Sequence, residues 1–242
     1  MPKRVLVTGS SRGIGRQIAI RLAADGWQPL IHYKSQIEEA TKVAELSGGI
    51  FCPRGFDLSK PEECDAVWDW ASSIGEVSAL VNNAGVYALS NFDHGFDSLL
   101  ADWDETYRTN FLSTLRLTKR FVDSRETGGK ILNVCSRVGF KGEAGAAAYA
   151  ASKAAQISLV RSLSVELAPR QIGVFGIAPG WAEPALRREG MEAKRKEVEA
   201  SIPLGRVATP EDCAAAVAFL MSDEAAYLSG VIIDVNGASY FH

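Results

Sequence analysis

Tyr149 and Lys153 are the residues whose types and spacing best fit proton-transfer chemistry. They stand four residues apart in a helix-forming segment, so both side chains project from one helix face. A free phenol has a pKa near 10, and a neighbouring ammonium group favours its ionised form. Lowering that pKa by about 3 units takes roughly 4 kcal/mol, which a partly desolvated pair can supply. The spacing alone is close to a chance occurrence, so it needs support from other residues.

Further polar residues follow the apolar segments that precede this pair. Ser136 ends one apolar run, Asn82-Asn83-Ala84-Gly85 ends an earlier one, and Asn110 lies in a helical stretch between them. Ligands of parallel sheets bind at the carboxyl ends of the strands. We therefore expect these side chains to converge near Tyr149, although Ser136 as a strand-end cap and Asn110 as a buried helix residue are simpler interpretations.

A glycine-rich turn, T-G-x-x-x-G-x-G over residues 8–15, stands between the first predicted strand and a helix. Glycines let a phosphate approach the backbone, and a helix N-terminus offers it free N–H groups and partial positive charge. The strand–turn–helix context favours dinucleotide binding over mere tight packing.

Residues 9–13 also fit the nucleophile pattern G-x-S-x-G of serine esterases, with Ser11 as nucleophile. A hydrolase needs a histidine base, and the candidates are His32, His94 and the last residue, His242. We expect a terminal histidine to be frayed and a poor base. A serine esterase is therefore a distant alternative.

Strands and helices alternate through most of the chain. Short apolar runs predict seven strands, at residues 4–8, 29–33, 50–56, 79–82, 130–135, 172–177 and 231–235. Helical periodicity predicts helices at residues 14–24, 37–46, 62–73, 103–124, 149–167 and 210–221. This pattern predicts an α/β fold, a single doubly wound Rossmann-type parallel sheet with helices on both faces, in one domain over residues 1–242. The charged segment at residues 181–204 is a candidate substrate lid.

Composition excludes several classes of function. A net charge of −3 gives no general attraction to nucleic acid or to anionic lipid. No apolar run reaches the roughly 18 residues of a membrane span. The four cysteines lack metal-site spacing, so we expect no metal and buried free thiols. Without a signal-peptide pattern, the expected location is cytoplasmic.

Together these motifs resemble the short-chain dehydrogenase/reductase family, over nearly the whole chain. The resemblance implies that Tyr149 exchanges a proton with a carbonyl or alcohol oxygen, that Ser136 hydrogen-bonds this oxygen, and that Lys153 holds the nicotinamide ribose. It also implies that Asn110 fixes a water molecule of a proton relay. The implied cofactor-binding residues are Gly9, Ser11, Arg12, Gly13, Ile14, Gly15, Tyr33, Lys34, Asp57, Leu58, Asn83, Ala84, Gly85, Tyr149, Lys153, Pro179, Gly180 and Ala182.

The cofactor is expected to be NADP(H). An NAD-binding sheet carries an acid after its second strand, to bind the ribose hydroxyls. This chain has Lys34 there, and Arg12 in the glycine-rich turn, so two cations can flank a 2′-phosphate. Solvated surface residues are the simpler interpretation of both.

The family pattern P-G-x-I-x-T after the sixth strand is broken here, where Pro184 replaces the threonine that grips the nicotinamide. Proline supplies neither a hydroxyl nor an N–H, which leaves the Ala182 backbone as the surviving anchor.

Within the family the chain looks most like the 3-oxoacyl-[acyl-carrier-protein] reductases. Arg170 matches one arginine that meets the carrier protein, Thr127 stands where another is expected, and Arg125 is nearby. The lid cations interleave with glutamates, which favours a solvated helix over a docking patch. The substrate is thus a small-molecule or acyl-thioester carbonyl.

Two further expectations concern activity and assembly. A dinucleotide-binding sensor or scaffold without turnover is the rival interpretation, although such a protein has no chemical need for all four candidate catalytic residues. The resemblance also implies a homotetramer, or a homodimer, built on the helices from Trp103 and Tyr149 and on the C-terminal strand. Tyr240 and Phe241 suit a subunit contact.

Overall fold

A seven-stranded parallel sheet forms the centre of the computed structural model, which describes residues 2–89, 92–93, 95–183 and 192–242. Its strand order is β3-β2-β1-β4-β5-β6-β7, and every neighbouring pair is parallel. The strands are β1 Lys3–Val7, β2 Trp27–Ile31, β3 Ile50–Phe51, β4 Val77–Asn82, β5 Lys130–Val134, β6 Gly173–Pro179 and β7 Ile232–Val235. The order reverses between β1 and β4, which is where ligands bind in open α/β sheets.

Helices connect the strands. Within the described residues they are α1 Gly13–Ala24, α2 Ile37–Ser47, α3 Pro61–Ile74, α4 Phe96–Tyr107, α5 Ser113–Asp123, α6 Val138–Lys141, α7 Ala147–Glu166, α8 Arg195–Ala200 and α9 Pro210–Met221. Short 3-10 segments occur at Ala168–Arg170, Glu192–Lys194 and Asp223–Leu228. No helix of this part of the chain is long and apolar enough to cross a bilayer.

Successive side chains of a strand point to opposite faces of the sheet, and helices cover both faces, so both faces of the strands are buried. Val5 and Val7 pack with α1 and α9, whereas Leu6 joins the cluster that includes residues of α3, α5 and α7. All four cysteines are buried free thiols, as expected. The prediction of one doubly wound sheet with helices on both faces is confirmed.

The predicted helix at residues 103–124 is wrong as a single helix. The chain forms α4, then a π-helical turn at Arg108–Leu112, then α5, and the Ser113 N–H bonds the Arg108 carbonyl five residues back. Such turns free a backbone carbonyl and often mark functional sites. Asn110 lies inside this one.

The third strand is also shorter than predicted, at two residues instead of residues 50–56. Pro53 has no N–H to donate to a sheet, which limits pairing beyond it. In the segment at residues 181–204, the described part contains α8, and its Trp181, Val198 and Ile202 form a small cluster with Val207. Pro184, Arg187 and Arg188 lie outside the described residues, so the lid stays a prediction.

Candidate active site

Tyr149 and Lys153 lie in the first turns of α7, as the sequence predicted, with the lysine ammonium 5.8 Å from the centre of the tyrosine ring. Tyr149 is half-buried, whereas Lys153 is 3% exposed. The Lys153 Nζ donates to the Val134 carbonyl at 2.8 Å and to Gln156 Oε1 at 2.9 Å. Burial lowers the pKa of Lys153 from 10.5 to about 8. The ammonium is thus a desolvated charge close to the phenol.

Asn110 holds two segments of the site together. Its side chain accepts the Val86 N–H at 2.8 Å and donates to the Val86 carbonyl at 2.9 Å, and it also donates to Ser152 Oγ. Its backbone carbonyl accepts from Gln156 Nε2 at 2.7 Å and from the Thr114 hydroxyl at 2.9 Å. Both lone pairs of this carbonyl are therefore taken by protein donors. The expectation that Asn110 fixes a relay water stays a prediction, and Gln156 and Thr114 are the partners of its main-chain carbonyl in this structure.

Gln156 was missed by the sequence analysis. It is fully buried, and it links Lys153 to Asn110 through the two ends of its amide. Its spacing of three residues from Lys153 puts both on one helix face, and a polar residue at that position was the available signal.

Ser136 lies just beyond the carboxyl end of β5 and is 6% exposed. Its Oγ accepts the Val138 N–H at 3.2 Å, so it does cap the turn that begins α6. A hydroxyl can accept this bond and still donate its own proton. The capping contact therefore orients Ser136 without removing the donor that a substrate oxygen needs.

A second tyrosine, also missed from the sequence, packs on the catalytic candidate. The Tyr87 ring lies edge-on to the Tyr149 ring, with centroids 5.0 Å apart and planes at 61°. The Tyr87 hydroxyl donates to Glu143 Oε1 at 2.7 Å. Tyr87 and Glu143 both lie in loops, where hydrophobic periodicity gives no signal.

The glycine-rich turn has the geometry of a phosphate site. Gly9 and Gly13 adopt left-handed backbone angles, φ +62° and +56°. A Cβ on Gly15 would lie 2.4 Å from the Gly9 carbonyl oxygen, so only glycine fits there. Arg12 precedes α1 and makes no side-chain cap, which leaves N–H groups of the first helical turn open to an anion. Ser11 and Ile14 lie within this same turn.

Thr8 and Asn83 fasten this turn to the end of β4. The Thr8 hydroxyl accepts the N–H groups of Asn83 and Ala84, each at 2.9 Å. The Asn83 amide donates to the Thr8 and Gly9 carbonyls at 2.8 and 3.1 Å. Gly85 follows, and a Cβ there would lie 3.2 Å from Asn110 Oδ1. The structure thus brings the two predicted motifs, the glycine-rich turn and Asn82 to Gly85, together.

His32 anchors the turn from the other side. Its Nδ1 accepts the Gly9 N–H at 2.9 Å, and its Nε2 donates to the Phe56 carbonyl at 3.0 Å. Burial lowers the pKa of His32 from 6.5 to about 4, so the ring is neutral at pH 7 and can accept the Gly9 bond. This residue is not a catalytic base but a fixed link between three loops.

The end of β2 carries the residues expected at the adenosine ribose. Tyr33 is 3% exposed and its side chain belongs to the core, so only its backbone is available there. Lys34 is exposed and its Nζ lies 2.8 Å from Asp57 Oδ2. Burial, the largest single effect on the Asp57 pKa, raises it. Hydrogen bonds from Lys34 and Ser59 together outweigh burial, so the net change is a lowered pKa. Leu58 is buried beside Asp57.

Pro179, Gly180 and Ala182 follow the carboxyl end of β6. A Cβ on Gly180 would lie 2.8 Å from Asn236 Cβ, so this glycine permits a close backbone approach. Ala182 pairs with Ala208 through bonds made by Trp181 and Glu183. Alternate residues of a bridged strand point their N–H and C=O the other way, which leaves the Ala182 backbone available to a ligand.

Arg170, which matches a carrier-binding arginine of the relatives, and the nearby Arg125 both donate to backbone carbonyls of this chain. Arg170 donates to the carbonyls of Val122, Arg125 and Glu126. Arg125 donates to the carbonyls of Phe121, Val77 and Gly128. The Phe121 and Val122 carbonyls belong to the last turn of α5, where carbonyls lack partners within the helix. Arg195 on α8 pairs with Glu183 and Glu199, as a solvated helix would.

The esterase alternative finds no base for Ser11 in the described residues. Both ring nitrogens of His32 are already bonded. The expectation that His242 is frayed is wrong: its Nδ1 lies 3.1 Å from Asp234 Oδ2 and its ring stacks on Phe140 at 3.8 Å. These contacts tie it to β7 and α6, not to the glycine-rich turn. His94 lies outside the described residues.

Comparison with known proteins agrees with this geometry. The family model described as "Enoyl-(Acyl carrier protein) reductase" matches residues 9–238. The chain is 37% identical over 245 residues to the 3-oxoacyl-[acyl-carrier-protein] reductase FabG of Aggregatibacter actinomycetemcomitans, covering 98% of this chain and 99% of that protein. It is 36% identical to FabG of Escherichia coli (strain K12), covering 98% and 97%, and 34% identical to FabG of Staphylococcus aureus (strain Mu50), covering 99% of both chains.

Proposed function

The chain belongs to the short-chain dehydrogenase/reductase family, and from this premise we propose that it is an NADPH-dependent carbonyl reductase in which Tyr149 donates the proton. As a member of that family it is an oxidoreductase that uses a nicotinamide dinucleotide. The observation that carries the proposal is the buried Lys153 ammonium, held one helical turn from Tyr149 by Val134 and Gln156.

The residues present fit a dinucleotide. The uncapped N-terminus of α1, with Gly9, Gly13 and Gly15 around it, suits a pyrophosphate group. When bound, the dinucleotide supplies the hydride for a carbonyl carbon, or takes one in the reverse direction. Ala182 offers its backbone to the nicotinamide end.

Each catalytic residue then has a chemical task. Tyr149 gives its phenolic proton to the carbonyl oxygen as negative charge develops there. Ser136 donates a second hydrogen bond to the same oxygen. Lys153 stabilises the phenolate that remains on Tyr149, since an opposite charge in a buried setting acts strongly. Asn110 keeps the Val86 segment and α7 in register.

Preference for NADPH over NADH rests on Arg12 and Lys34. Both are exposed cations, and no acidic residue occurs at positions 33–36. The ion pair with Asp57 holds Lys34 near the end of β2. From there the Lys34 ammonium can donate a charge-assisted hydrogen bond to the 2′-phosphate of NADPH. Lys34→Ala should lower the ratio of kcat/KM for NADPH to that for NADH by roughly 10- to 100-fold. Lys196→Ala, on α8, is the matched control, and an unchanged ratio in Lys34→Ala would refute this role.

The substrate is proposed only as a class, a carbonyl compound that fits beside Tyr149. The 3-oxoacyl thioesters are the first candidates to assay, because the relatives are named for them. Membership of the family also supports a homotetramer or homodimer, located in the cytoplasm. Light scattering at several concentrations tests the assembly.

The proposed reaction is tested with a panel of ketones and 3-oxoacyl thioesters, with NADPH consumption as readout. Tyr149→Phe should reduce turnover to a few per cent or less while leaving the NADPH dissociation constant within about threefold. Tyr227→Phe, at a fully exposed tyrosine, is the matched control. Substantial activity in Tyr149→Phe would show that another group supplies the proton.

A further inference from the structure

A carboxylate is bonded to Tyr87, the neighbour of the catalytic tyrosine, and has no part in the proton transfer described above. Glu143 lies in the loop between α6 and α7, and the hydroxyl of Tyr87 bonds its Oε1 at 2.7 Å. The centroid of the Tyr87 ring lies 5.0 Å from that of the Tyr149 ring, so Tyr87 links this carboxylate to the catalytic candidate.

The backbone fixes both members of this pair. Val86, next to Tyr87, is clamped by two bonds to the Asn110 side chain. On the other loop, the Gly142 N–H bonds the Val138 carbonyl at 2.9 Å and the Ala146 N–H bonds the Glu143 carbonyl at 3.1 Å. The catalytic framework itself therefore positions Tyr87 and Glu143.

Among the described residues, one oxygen of the Glu143 carboxylate has a hydrogen-bond partner. Tyr87 bonds Oε1, and Glu143 forms no ion pair within the described residues, including with the neighbouring Arg137. Burial lowers the pKa of Arg137, and attraction to the Glu143 carboxylate partly offsets this effect, so the two charges interact. Glu143 is half-buried, so part of its side chain is open to solvent.

We propose that Glu143, oriented by Tyr87, forms a substrate subsite that accepts a hydrogen bond from a hydroxyl or ammonium group carried by the carbonyl substrate. This inference rests on the proposed carbonyl reduction and narrows its substrate to carbonyl compounds that carry a hydrogen-bond donor near the carbonyl group. A plain acyl chain would press methylene groups against a carboxylate and desolvate it without compensation, which is unfavourable. A donor on the substrate satisfies the free oxygen instead and offsets the repulsion between Glu143 and the oxyanion that forms on the carbonyl.

Three ketones of nearly equal size test the subsite: cyclohexanone, 4-hydroxycyclohexanone and piperidin-4-one, the last of which carries a ring ammonium. With NADPH saturating, kcat/KM of the wild type should favour one or both donor-bearing ketones over cyclohexanone by roughly 10- to 100-fold, as hydrogen bonds to a charged group do. Glu143→Ala should reduce this preference to within about twofold, and Tyr87→Phe should weaken it severalfold.

Glu143→Gln separates the two donor types, because glutamine keeps an acceptor oxygen and loses the charge. A hydroxyl preference that largely survives in Glu143→Gln identifies a neutral donor, whereas an ammonium preference that disappears identifies a cation; either supports the subsite. Glu45→Gln and Tyr227→Phe, at exposed positions outside the site, are the controls and should leave the ratios unchanged.

The subsite is overturned if the wild type reduces cyclohexanone as well as its analogues, or if the preference persists in Glu143→Ala. Folding of each variant is checked by its NADPH dissociation constant, which should stay within about twofold of the wild type. Failure of the proposed function looks different, since then no ketone or thioester is reduced, or Tyr149→Phe stays active.

Discussion

Replacing Lys153 by methionine should abolish turnover while making the protein more stable at neutral pH. Methionine has a similar length and no charge, and Lys153 is 3% exposed, so the substitution removes a buried ammonium without leaving a large cavity. Burial of that charge lowers the pKa of Lys153 from 10.5 to about 8. A lowered lysine pKa means that the folded state binds this proton less well than the unfolded chain does.

The pH dependence follows from this difference. The cost of the buried charge is complete below pH 8 and disappears as the pH rises toward 10.5, so the wild type gains stability over that interval. At 1.36 kcal/mol per pKa unit, the cost is roughly 3 kcal/mol at pH 7 and roughly 1.4 kcal/mol at pH 9.5. Methionine loses the bonds to Val134 and Gln156, worth roughly 1 to 2 kcal/mol together. Lys153→Met should then be more stable by roughly 1 to 2 kcal/mol at pH 7 and no more stable at pH 9.5.

Urea unfolding of both proteins at pH 7, 8 and 9.5, at one protein concentration, measures this difference. Effects of pH on other groups cancel in the comparison when the sites are independent. Lys196→Met on the exposed surface of α8 is the control, and its stability relative to the wild type should stay constant with pH. A difference between Lys153→Met and the wild type that does not change from pH 7 to 9.5 would refute the buried-charge argument.

Three further substitutions test other contacts. His32→Leu removes the acceptor of the Gly9 N–H and should raise KM for NADPH roughly tenfold with kcat near the wild-type value, measured by initial rates; an unchanged KM would contradict the anchoring role. Gln156→Leu frees Lys153 and the Asn110 carbonyl, and it should lower kcat and shift the pH–rate profile, while NADPH binding, followed by fluorescence, changes less than threefold. Arg170→Met leaves carbonyls at the end of α5 without donors and should destabilise the protein by roughly 1 to 3 kcal/mol in urea without changing kcat; a fall in kcat with unchanged stability would instead favour a substrate-side role.

The sheet could be predicted because its signal is local. Parallel strands buried on both faces form short apolar runs, and the seven runs correspond to β1 through β7. The break between α4 and α5 was hidden because a π turn keeps nearly the same apolar period as an α-helix. What distinguishes it is the Asn110 carbonyl, which is held by Gln156 from α7, a contact between residues 46 positions apart. No local pattern contains that information.

The residues of the candidate site also fall into two groups, those that local sequence patterns predict and those that depend on distant contacts. Motif residues such as Ser136, Tyr149 and Lys153 were predicted because their order along the chain is itself informative. The partners of Asn110 and Arg170 could not be predicted in this way, since each depends on what fills the space around the residue: a glutamine amide in one case and the end of α5 in the other. His242 shows the same dependence, because its contacts with Asp234 and Phe140 involve distant elements.

The two halves of the cleft differ in how far their polar groups are already bonded within the protein. On the cofactor side, His32 uses both ring nitrogens, and Thr8 and Asn83 bond the turn to the end of β4, so these polar groups are already paired within the protein. On the proposed substrate side, Glu143 has one oxygen bonded to Tyr87 and, within the part of the chain that the structure describes, no partner for the other. Hydrogen bonds between residues of the protein require particular residue types at particular positions, which is why sequence motifs reveal them. An oxygen without a protein partner can instead be bonded by a substrate. Substrate specificity is therefore expected to depend on loop residues such as Tyr87 and Glu143 rather than on the motifs.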